Sequence, residues 1–341
     1  MTSQKIKVVL IEDSGLMRIL LADILRSDAE IVVLATAANG KEGLEKIKLL
    51  KPDVVITDMI MPQLDGLQVV RQLMQKEPLP VILLSSLEKK DPKVFDALSA
   101  GAFEFINKEQ VVALAKEGQF PLNELVKTAA TANGPSLISR KIRKNTNAHS
   151  FSSELPYHII AIAASTGGPA AIEAVIKQLP ANLKIPIVIA QHMTEQFLSS
   201  FAQRLNKLSP LHIKLAERNE TLEGETIYIA PGHTNMKVVH NAVTGKATIA
   251  FISKMYKEFN NPSADCLLSS VAEVYKEKAI GVVLTGMGKD GTEGLAAIYQ
   301  KRGYTIAQDK SSSVVYGMPR SAIERGVVHQ VVKLPEIGGF L

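Results

Sequence analysis

Cysteine and tryptophan are almost missing from this sequence, which contains one cysteine and no tryptophan among 341 residues. The single cysteine, Cys266, excludes a disulfide bond within the chain and is typical of proteins in a reducing compartment. No apolar run approaches the roughly 20 residues that a membrane-spanning helix requires. The polar residues 1–7 are unlike a secretory signal. From these absences we expect a cytoplasmic protein that does not insert into a membrane.

Basic residues exceed acidic ones, but the excess is concentrated in one stretch. The formal net charge is +5 at pH 7, and residues 136–153 contain Arg140, Lys141, Arg143 and Lys144 with no acidic residue. This stretch is rich in Ser, Asn and Thr and has no helical or strand period. We interpret it as a solvated linker and not as a nucleic-acid-binding arm, so no nucleic-acid partner is expected. Because the chain is also too long for one ordinary core, the linker predicts two folded domains.

Strand-like and helix-like segments alternate on both sides of this linker. The strand-like segments before it are IKVVLIE, IVVLAT, DVVITD, PVILLSS and FEFIN, and those after it are HIIAIAAS, IPIVIAQH, TIYIAP and IGVVLTG. This alternation predicts two doubly wound α/β domains, each with a parallel sheet and helices on both faces. The segment MKVVHNAVTGKATIAFIS, with Thr244 and Gly245 at its centre, predicts an inserted β-hairpin in the second domain.

Acidic residues end two strands of the first predicted sheet. Glu12 and Asp13 follow the first strand, and Asp58 ends the third. The carboxyl ends of strands in a doubly wound sheet border the crevice where ligands bind. Three carboxylates there repel one another unless a cation neutralises them, and an all-oxygen set suits Mg²⁺. A carboxylate beside such a metal can also accept a phosphoryl group.

The stretches IEDSGLMR, DVVITDMIMPQLDG, VILLSS and FEFINK resemble the receiver domains of bacterial response regulators. The resemblance implies that Asp58 accepts phosphate from a histidine kinase. The Mg²⁺ ligands that it implies are Glu12, Asp13, Asp58 and the carbonyl of Ile60. The switch residues that it implies are Ser85, whose hydroxyl moves onto the phosphoryl group, Lys108, its positive partner, and Phe105, which rotates. One departure follows Lys108, where Glu109 stands in place of the usual proline.

The stretch IAIAASTGGP, residues 160–169, is typical of a buried strand that stops at Ser165. The residues alone allow Ser165 to be a helix N-cap, a phosphate-loop hydroxyl or a nucleophile on a tight turn. A phosphate loop is disfavoured because no lysine follows the glycines. The pattern Ala163-x-Ser165-x-Gly167 is that of a nucleophile elbow with alanine in place of the first glycine. A partner base would distinguish the nucleophile from the cap.

Two of the seven histidines are candidates for that base, namely His192, which ends the strand after Ser165, and His233 in IAPGHTNM. Sheet adjacency would bring His192 near Ser165, although a strand-end histidine is also an ordinary surface residue. Asp290 follows a third buried strand and a glycine-rich turn, where it is either a turn former or an acid that orients the base. The chain order Ser, His, Asp is compatible with a catalytic triad, because triads are defined by geometry.

The stretches AASTGGP, IAQHM, YIAPG, NPSADCLLSSVA, LTGMGKDGTEGL and AQDKSSSVVYGMPRSAI resemble the chemotaxis protein-glutamate methylesterases. The resemblance implies Ser165 as nucleophile, His192 as base and Asp290 as orienting acid. It also implies an oxyanion site formed by the Met287 N–H group and Thr166. Two departures are Thr194 in place of a frequent proline and His233 in place of a usual acidic residue.

The resemblance implies a phosphorylation-regulated serine esterase that demethylates glutamate methyl esters, and deamidates glutamines, on chemoreceptors. It implies a chemotaxis histidine kinase as partner, no cofactor for ester hydrolysis, and an unphosphorylated receiver that covers the esterase cleft. We expect a flavodoxin-like receiver over residues 1–125, a linker over 126–155 and a Rossmann-like esterase domain over 156–341. An alternative is a non-enzymatic response regulator whose second domain binds a partner. A DNA-binding regulator is disfavoured because no helix-turn-helix segment is apparent.

Overall fold

A computed structural model of the chain describes residues 5–86, 93–132, 157–253 and 262–341. The chain divides into two compact units, Met1–Lys141 and Ile142–Leu341. The basic stretch 136–153 that we interpret as a linker lies outside the described residues. Each unit has its own sheet and its own core.

The first unit is a five-stranded parallel sheet with the strand order β2-β1-β3-β4-β5. Its order reverses between β1 and β3, which opens a crevice at their carboxyl ends. This architecture confirms the predicted doubly wound fold. The elements are β1 (Ile6–Ile11), α1 (Gly15–Arg26), β2 (Ile31–Ala37), α2 (Gly40–Leu50), β3 (Val54–Asp58), α3 (Gly66–Lys76), β4 (Val81–Ser85), α4 (Lys93–Ala100), β5 (Glu104–Asn107), α5 (Lys108–Lys116) and α6 (Pro121–Ala130).

Helix α6 continues beyond residue 125, so the linker start that we placed at residue 126 is wrong. Val126 and Ala129 are buried, which is why the chain stays helical there. The Asn123 side-chain amide also donates to the carbonyl of Ile24 in α1 at 2.9 Å. The first unit therefore extends at least to the end of α6.

The second unit is a seven-stranded parallel sheet with the order β14-β13-β12-β6-β7-β9-β8. Its central strands are buried on both faces, as expected for apolar runs without alternation. The elements are β6 (Ile159–Ala164), α7 (Gly168–Ile176), β7 (Ile187–Gln191), α8 (Glu195–Leu208), β8 (His212–Leu215), β9 (Thr226–Ile229), β10 (Asn235–His240), β11 (Ala247–Ile252), α9 (Ala264–Tyr275), β12 (Ala279–Val283), α10 (Thr292–Gln300), β13 (Tyr304–Gln308), α11 (Met318–Glu324), β14 (Gln330–Val332) and α12 (Leu334–Ile337).

Strands β10 and β11 form a separate antiparallel hairpin, which confirms the predicted insertion. The hairpin packs on α9, where the Val238 N–H group donates to the Ser270 hydroxyl at 2.9 Å. Val238, Ile249 and Val271 share one buried cluster with residues of the main sheet. The hairpin therefore completes the core on one side of α9.

None of the helices in the described ranges combines the length and the apolarity that crossing a membrane requires.

Candidate functional site

Ser165 directly follows β6 and opens a tight turn. The Gly168 N–H group donates to the Ser165 carbonyl at 2.7 Å, and Gly167 has φ 74° and ψ −3°. These angles are those of the third residue of a type II turn, where a positive φ favours glycine. A Cβ atom on Gly167 would also lie 2.7 Å from Cβ of Val314. The N-cap of α7 is Gly167, without a side-chain capping bond, so the interpretation of Ser165 as the helix cap is wrong.

His192 lies beside Ser165 at the end of the adjacent strand. Ala164 and Gln191 are partners in the register of β6 and β7, and Ser165 and His192 each follow one of them. The His192 N–H group donates to the Ala164 carbonyl at 3.1 Å. The structure therefore brings the candidate nucleophile and the candidate base to the same edge of the sheet.

The His192 ring is paired with Asp290, whose Oδ2 lies 2.8 Å from Nε2. Asp290 is 1% exposed and His192 is largely buried. Because an ionised carboxylate only accepts hydrogen bonds, this contact assigns the proton of the neutral ring to Nε2. The other ring nitrogen, Nδ1, then remains to accept a proton.

The Asp290 carboxylate sits at the N-terminus of α9 and accepts a dense set of hydrogen bonds. The N–H group of Ala264 donates to Oδ2 at 2.8 Å, and those of Asp265 and Gly291 donate to Oδ1 at 2.9 and 3.0 Å. The Ser263 hydroxyl donates to Oδ1 at 3.2 Å. Helix N-termini favour negative charge, so this position stabilises the carboxylate.

The two carboxyl groups at this helix end have pKa values shifted in opposite directions. Burial alone would raise the pKa of Asp290, but the hydrogen bond and charge of His192, with the backbone donors, hold it below the ordinary value. Burial, despite the Gly294 N–H donor and with the adjacent charge of Asp290, raises the pKa of Asp265 to about 6. Asp290 is therefore ionised at neutral pH and able to stabilise a protonated His192.

The segments of Thr166 and Met287 both pass beside Ser165. A Cβ atom on Gly286 would lie 2.7 Å from Cβ of Ser165, so the residue before Met287 approaches closely. The Thr285 hydroxyl donates to the Thr166 carbonyl at 3.0 Å and links the two segments. The Ser165 N–H group already donates to the Thr285 carbonyl at 3.0 Å. Because this N–H group is already used, donors of neighbouring residues would have to bind an oxyanion that forms at Ser165.

The structure pairs His233 with Glu195 and not with Asp290. Its Nδ1 lies 2.8 Å from Oε2 of Glu195, and both side chains are more than half exposed. Thr194, the N-cap of α8, makes no side-chain capping bond. Both departures from the family pattern thus lie at the start of α8, outside the pairing of His192 with Asp290.

Ser263 contacts the candidate site, although the sequence alone does not mark it as a site residue. It caps α9 by accepting the Cys266 N–H group at 3.2 Å, and its hydroxyl also contacts Asp290. A serine before an apolar helical run is a recognisable N-cap signal. The contact with Asp290 carries no such signal, because it joins residues 27 positions apart.

Three carboxylates meet at the crevice of the first unit. Glu12, Asp13 and Asp58 each offer an oxygen, and these atoms all lie within 4.8 Å of one another. Nζ of Lys108 lies 2.9 Å from Oδ2 of Asp58 and 3.2 Å from Oε2 of Glu12. Ile60 and Ser85 also line this crevice. Phe105 is half-buried on β5, and among the described residues it does not line this crevice.

The buried carboxyl groups of this crevice have raised pKa values, chiefly because burial disfavours their charged form. Burial and the nearby charge of Asp58 raise the pKa of Glu12 to about 7, and burial raises the pKa of Asp58 despite Lys108. Burial disfavours the ammonium group of Lys108, but its contacts with Asp58 and Glu12 raise its pKa. Oxygen donors are the ligands that Mg²⁺ prefers, and a bound cation would favour the ionised form of these carboxyl groups.

Glu109 takes part in the start of α5. Asn107 caps this helix by accepting the Gln110 N–H group at 2.7 Å, and its amide donates to Oε2 of Glu109 at 2.9 Å. Lys108 is consequently the first helical residue, and Glu109 lies in the first turn, where acidic residues are favourable.

One α/β unit has an acidic crevice with a buried lysine, as in response regulators, and the other has a serine beside a histidine–aspartate pair, as in serine hydrolases. The response regulator receiver domain family matches residues 8–116, and the CheB methylesterase family matches residues 160–341. The chain belongs to the CheB methylesterase family and carries a response regulator receiver domain.

Similar proteins match almost the whole chain. It is 37% identical over 343 residues to the protein-glutamate methylesterase/protein-glutamine glutaminase of Pyrococcus abyssi, covering 99% of this chain and 93% of that protein. This chain is also 39% identical over 346 residues to protein-glutamate methylesterase/protein-glutamine glutaminase 1 of Carboxydothermus hydrogenoformans. That match covers 97% of this chain and 96% of that protein. The crystal structure of the Thermotoga maritima CheB methylesterase catalytic domain matches with a TM-score of 0.52 and 39% identity, over 53% of this chain and 95% of that chain.

Proposed function

We propose that this chain hydrolyses glutamate methyl esters on chemoreceptors, deamidates receptor glutamines, and is regulated by phosphorylation of its receiver. The observation that carries the proposal is the 2.8 Å contact of His192 with Asp290, at the strand end next to Ser165. The names of the relatives support the choice of substrate. A chemotaxis histidine kinase and methylated receptors are the proposed partners, and the cytoplasm is the proposed location.

Hydrolysis follows from the proposed roles of three side chains. Oγ of Ser165 attacks the ester carbonyl while Nδ1 of His192 takes its proton, and Asp290 stabilises the imidazolium that forms. N–H donors in the segments of Met287 and Thr166 hold the oxyanion. Methanol leaves with the proton from His192, and water then cleaves the acyl-enzyme by the same route. A glutamine side chain follows these steps with ammonia as leaving group, and neither reaction uses a cofactor.

The receiver is proposed to accept a phosphoryl group on Asp58. Glu12, Asp13, Asp58 and the Ile60 carbonyl would hold Mg²⁺, which screens the charge of the incoming phosphate when bound. The contact of Lys108 with Asp58 supports its proposed pairing with an added phosphoryl oxygen. Ser85 lines the same crevice, and Phe105 on the neighbouring β5 is the proposed rotating aromatic.

The proposal is tested by measuring methanol release from methylated receptor together with labelling by a fluorophosphonate. We expect release by the wild-type chain, covalent labelling at Ser165, and neither in Ser165→Ala. A chain that releases no methanol and takes up no label would instead fit the non-enzymatic alternative.

A further inference from the structure

The side chain of Gln191 joins the backbones of the two residues that begin the proposed chemistry. Gln191 is the last residue of β7 and is 1% exposed. Its Nε2 donates to the Ser165 carbonyl at 3.1 Å and to the His192 carbonyl at 3.0 Å. Both hydrogens of the amide are therefore used between these two residues.

The surroundings determine which way this amide points. A reversed amide would place Oε1 against two carbonyl oxygens, which repel it. In the observed orientation Oε1 is buried without a hydrogen-bond partner, and Oδ1 of Asn123 is the only other such side-chain atom in the described ranges. A buried acceptor without a partner destabilises the fold. Packing alone would therefore favour an apolar side chain at position 191.

The turn after Ser165 leaves room for the Gln191 side chain. A Cβ atom on Gly168 would overlap Oε1 of Gln191 and would lie 2.8 Å from Cβ of Ala164. The Ser165 carbonyl accepts both the Gly168 N–H group of the turn and the Gln191 amide. The same amide group thus links the closure of the Ser165 turn to the backbone of His192.

We propose that Gln191 is a positioning residue, whose amide fixes the separation between the Ser165 turn and the backbone of His192. Proton transfer from Oγ to the imidazole requires the two side chains to be aligned, and a displacement of about 1 Å can cost about a hundredfold in rate. Gln191 is buried beneath the site, so it acts on the chemical step and not on substrate binding. The inference rests on the proposed roles of Ser165 and His192.

The test uses the full chain with Gln191→Met, which keeps the length of the side chain but removes both donors and the unpaired oxygen. We expect kcat for methylated receptor to fall by about ten- to a hundredfold with KM unchanged, and fluorophosphonate labelling to slow by the same factor. The melting temperature is measured alongside, because the substitution removes an unpaired acceptor but also takes the amide donor from the His192 carbonyl.

The matched control is Asn123→Leu in the first unit. It removes the other side-chain amide of the described ranges whose buried oxygen has no hydrogen-bond partner. We expect its labelling rate and kcat, measured without phosphodonor, to equal those of the wild type. Gln191→Glu serves as a second variant because it keeps the shape but places carboxylate oxygens against the two carbonyls. It should label as slowly as Gln191→Met or more slowly.

The outcomes separate this inference from the proposed function. If the wild type is labelled at Ser165 but Gln191→Met and Gln191→Glu are labelled equally fast, the positioning role is wrong and the proposed function stands. A loss confined to KM would also overturn it. If the wild type takes up no label, the proposed function and this inference fail together. Should Gln191→Met not fold, Gln191→Glu decides alone.

Discussion

At Asp290, burial and hydrogen bonding act in opposite directions on one carboxyl group. Burial favours the neutral acid, whereas His192 and the backbone donors favour the carboxylate and prevail, so the pKa is lowered. This charge supports the proposed role of Asp290, which is to orient the imidazole and to stabilise its protonated form.

Loss of Ser165 or His192 should abolish receptor demethylation. We expect Ser165→Ala and His192→Ala each to reduce kcat by about 10⁴-fold or more, because the two side chains act as one unit. The double variant should be scarcely slower than either single variant. Asp290→Asn should cost less than loss of the serine. Methanol release from methylated receptor measures all four.

His240→Ala is a matched control for His192→Ala, since His240 is exposed on the hairpin. It should retain wild-type kcat. Losses that multiply in the double variant would contradict a shared catalytic unit.

Asp265 should make stability depend on pH in the direction opposite to an ordinary paired carboxylate. Its pKa is about 6 in the folded chain against the ordinary 3.8, so folding favours its protonated form. Its contribution therefore becomes unfavourable as the pH rises from about 4 through 6. Asp265→Asn should raise the free energy of unfolding relative to wild type, by more at pH 8 than at pH 5. Urea titrations at the two pH values measure this.

Asp28→Asn provides the comparison for that pH series. Its hydrogen bond with Lys127 lowers the pKa of Asp28, so the charged form is already present throughout this pH range. Loss of this charge in Asp28→Asn should lower the free energy of unfolding equally at pH 5 and pH 8. An equal change at both pH values in Asp265→Asn would show that the Asp265 pKa is not raised.

At the scale of elements, the turn between β6 and α7 requires Gly167 for two independent reasons. Its φ is positive, and a Cβ atom would press on Val314. Gly245, in the hairpin turn, also has positive φ but nothing within 4 Å of an added Cβ. Both Gly→Ala variants incur backbone strain of about 1 to 2 kcal/mol.

We therefore expect Gly245→Ala to lower the free energy of unfolding by that strain alone and to keep full activity. Gly167→Ala should lower it further and should slow labelling of Ser165, because the turn must shift away from Val314. Chemical denaturation and labelling kinetics on both variants give the two readouts. Equal destabilisation with equal activity would mean that the contact with Val314 is unimportant.

The strands and the hairpin could be predicted from the sequence because buried parallel strands are apolar runs and turns have their own residues. The end of the first unit could not be placed, since the burial of Val126 depends on contacts with other elements. Ser165, His192 and Asp290 stand out as polar residues at strand ends. Ser263 does not, because only the fold brings it to Asp290. Gln191 precedes His192 in the chain, but its contact with the Ser165 carbonyl depends on the pairing of β6 with β7.

At the scale of the whole molecule, the receiver should be phosphorylated at a single residue. A small phosphodonor with Mg²⁺ should label Asp58. Asp58→Asn should prevent labelling, because Glu12 and Asp13 would be engaged as metal ligands, and chelation should prevent it by removing the metal. Acid-labile label counted per chain is the measurement. Asp53→Asn, another acid next to β3, should label normally. Full labelling of Asp58→Asn would contradict the assignment.

Joining the two units in one chain should allow weak inhibition to be effective. Tethering two domains gives an effective concentration of about the millimolar range, so even weak docking of the receiver would be substantially occupied. Residues 155–341 alone should therefore show a higher kcat/KM than the unphosphorylated full chain, on the order of ten- to a hundredfold. Both are assayed on methylated receptor at the same salt concentration. A folded fragment no faster than the full chain would mean that the receiver activates or targets the esterase instead.

The placement of Asp290 at the start of α9 has an evolutionary consequence. The carboxylate that contacts His192 also accepts hydrogen bonds from the first N–H groups of a helix that supports the hairpin. Catalytic groups often reduce stability, but the proposed orienting acid also makes hydrogen bonds that stabilise the fold. Selection for a folded chain alone would preserve it. Descendants that lose the serine and survive only as binding proteins should therefore keep this aspartate, so its presence in a relative is poor evidence of activity.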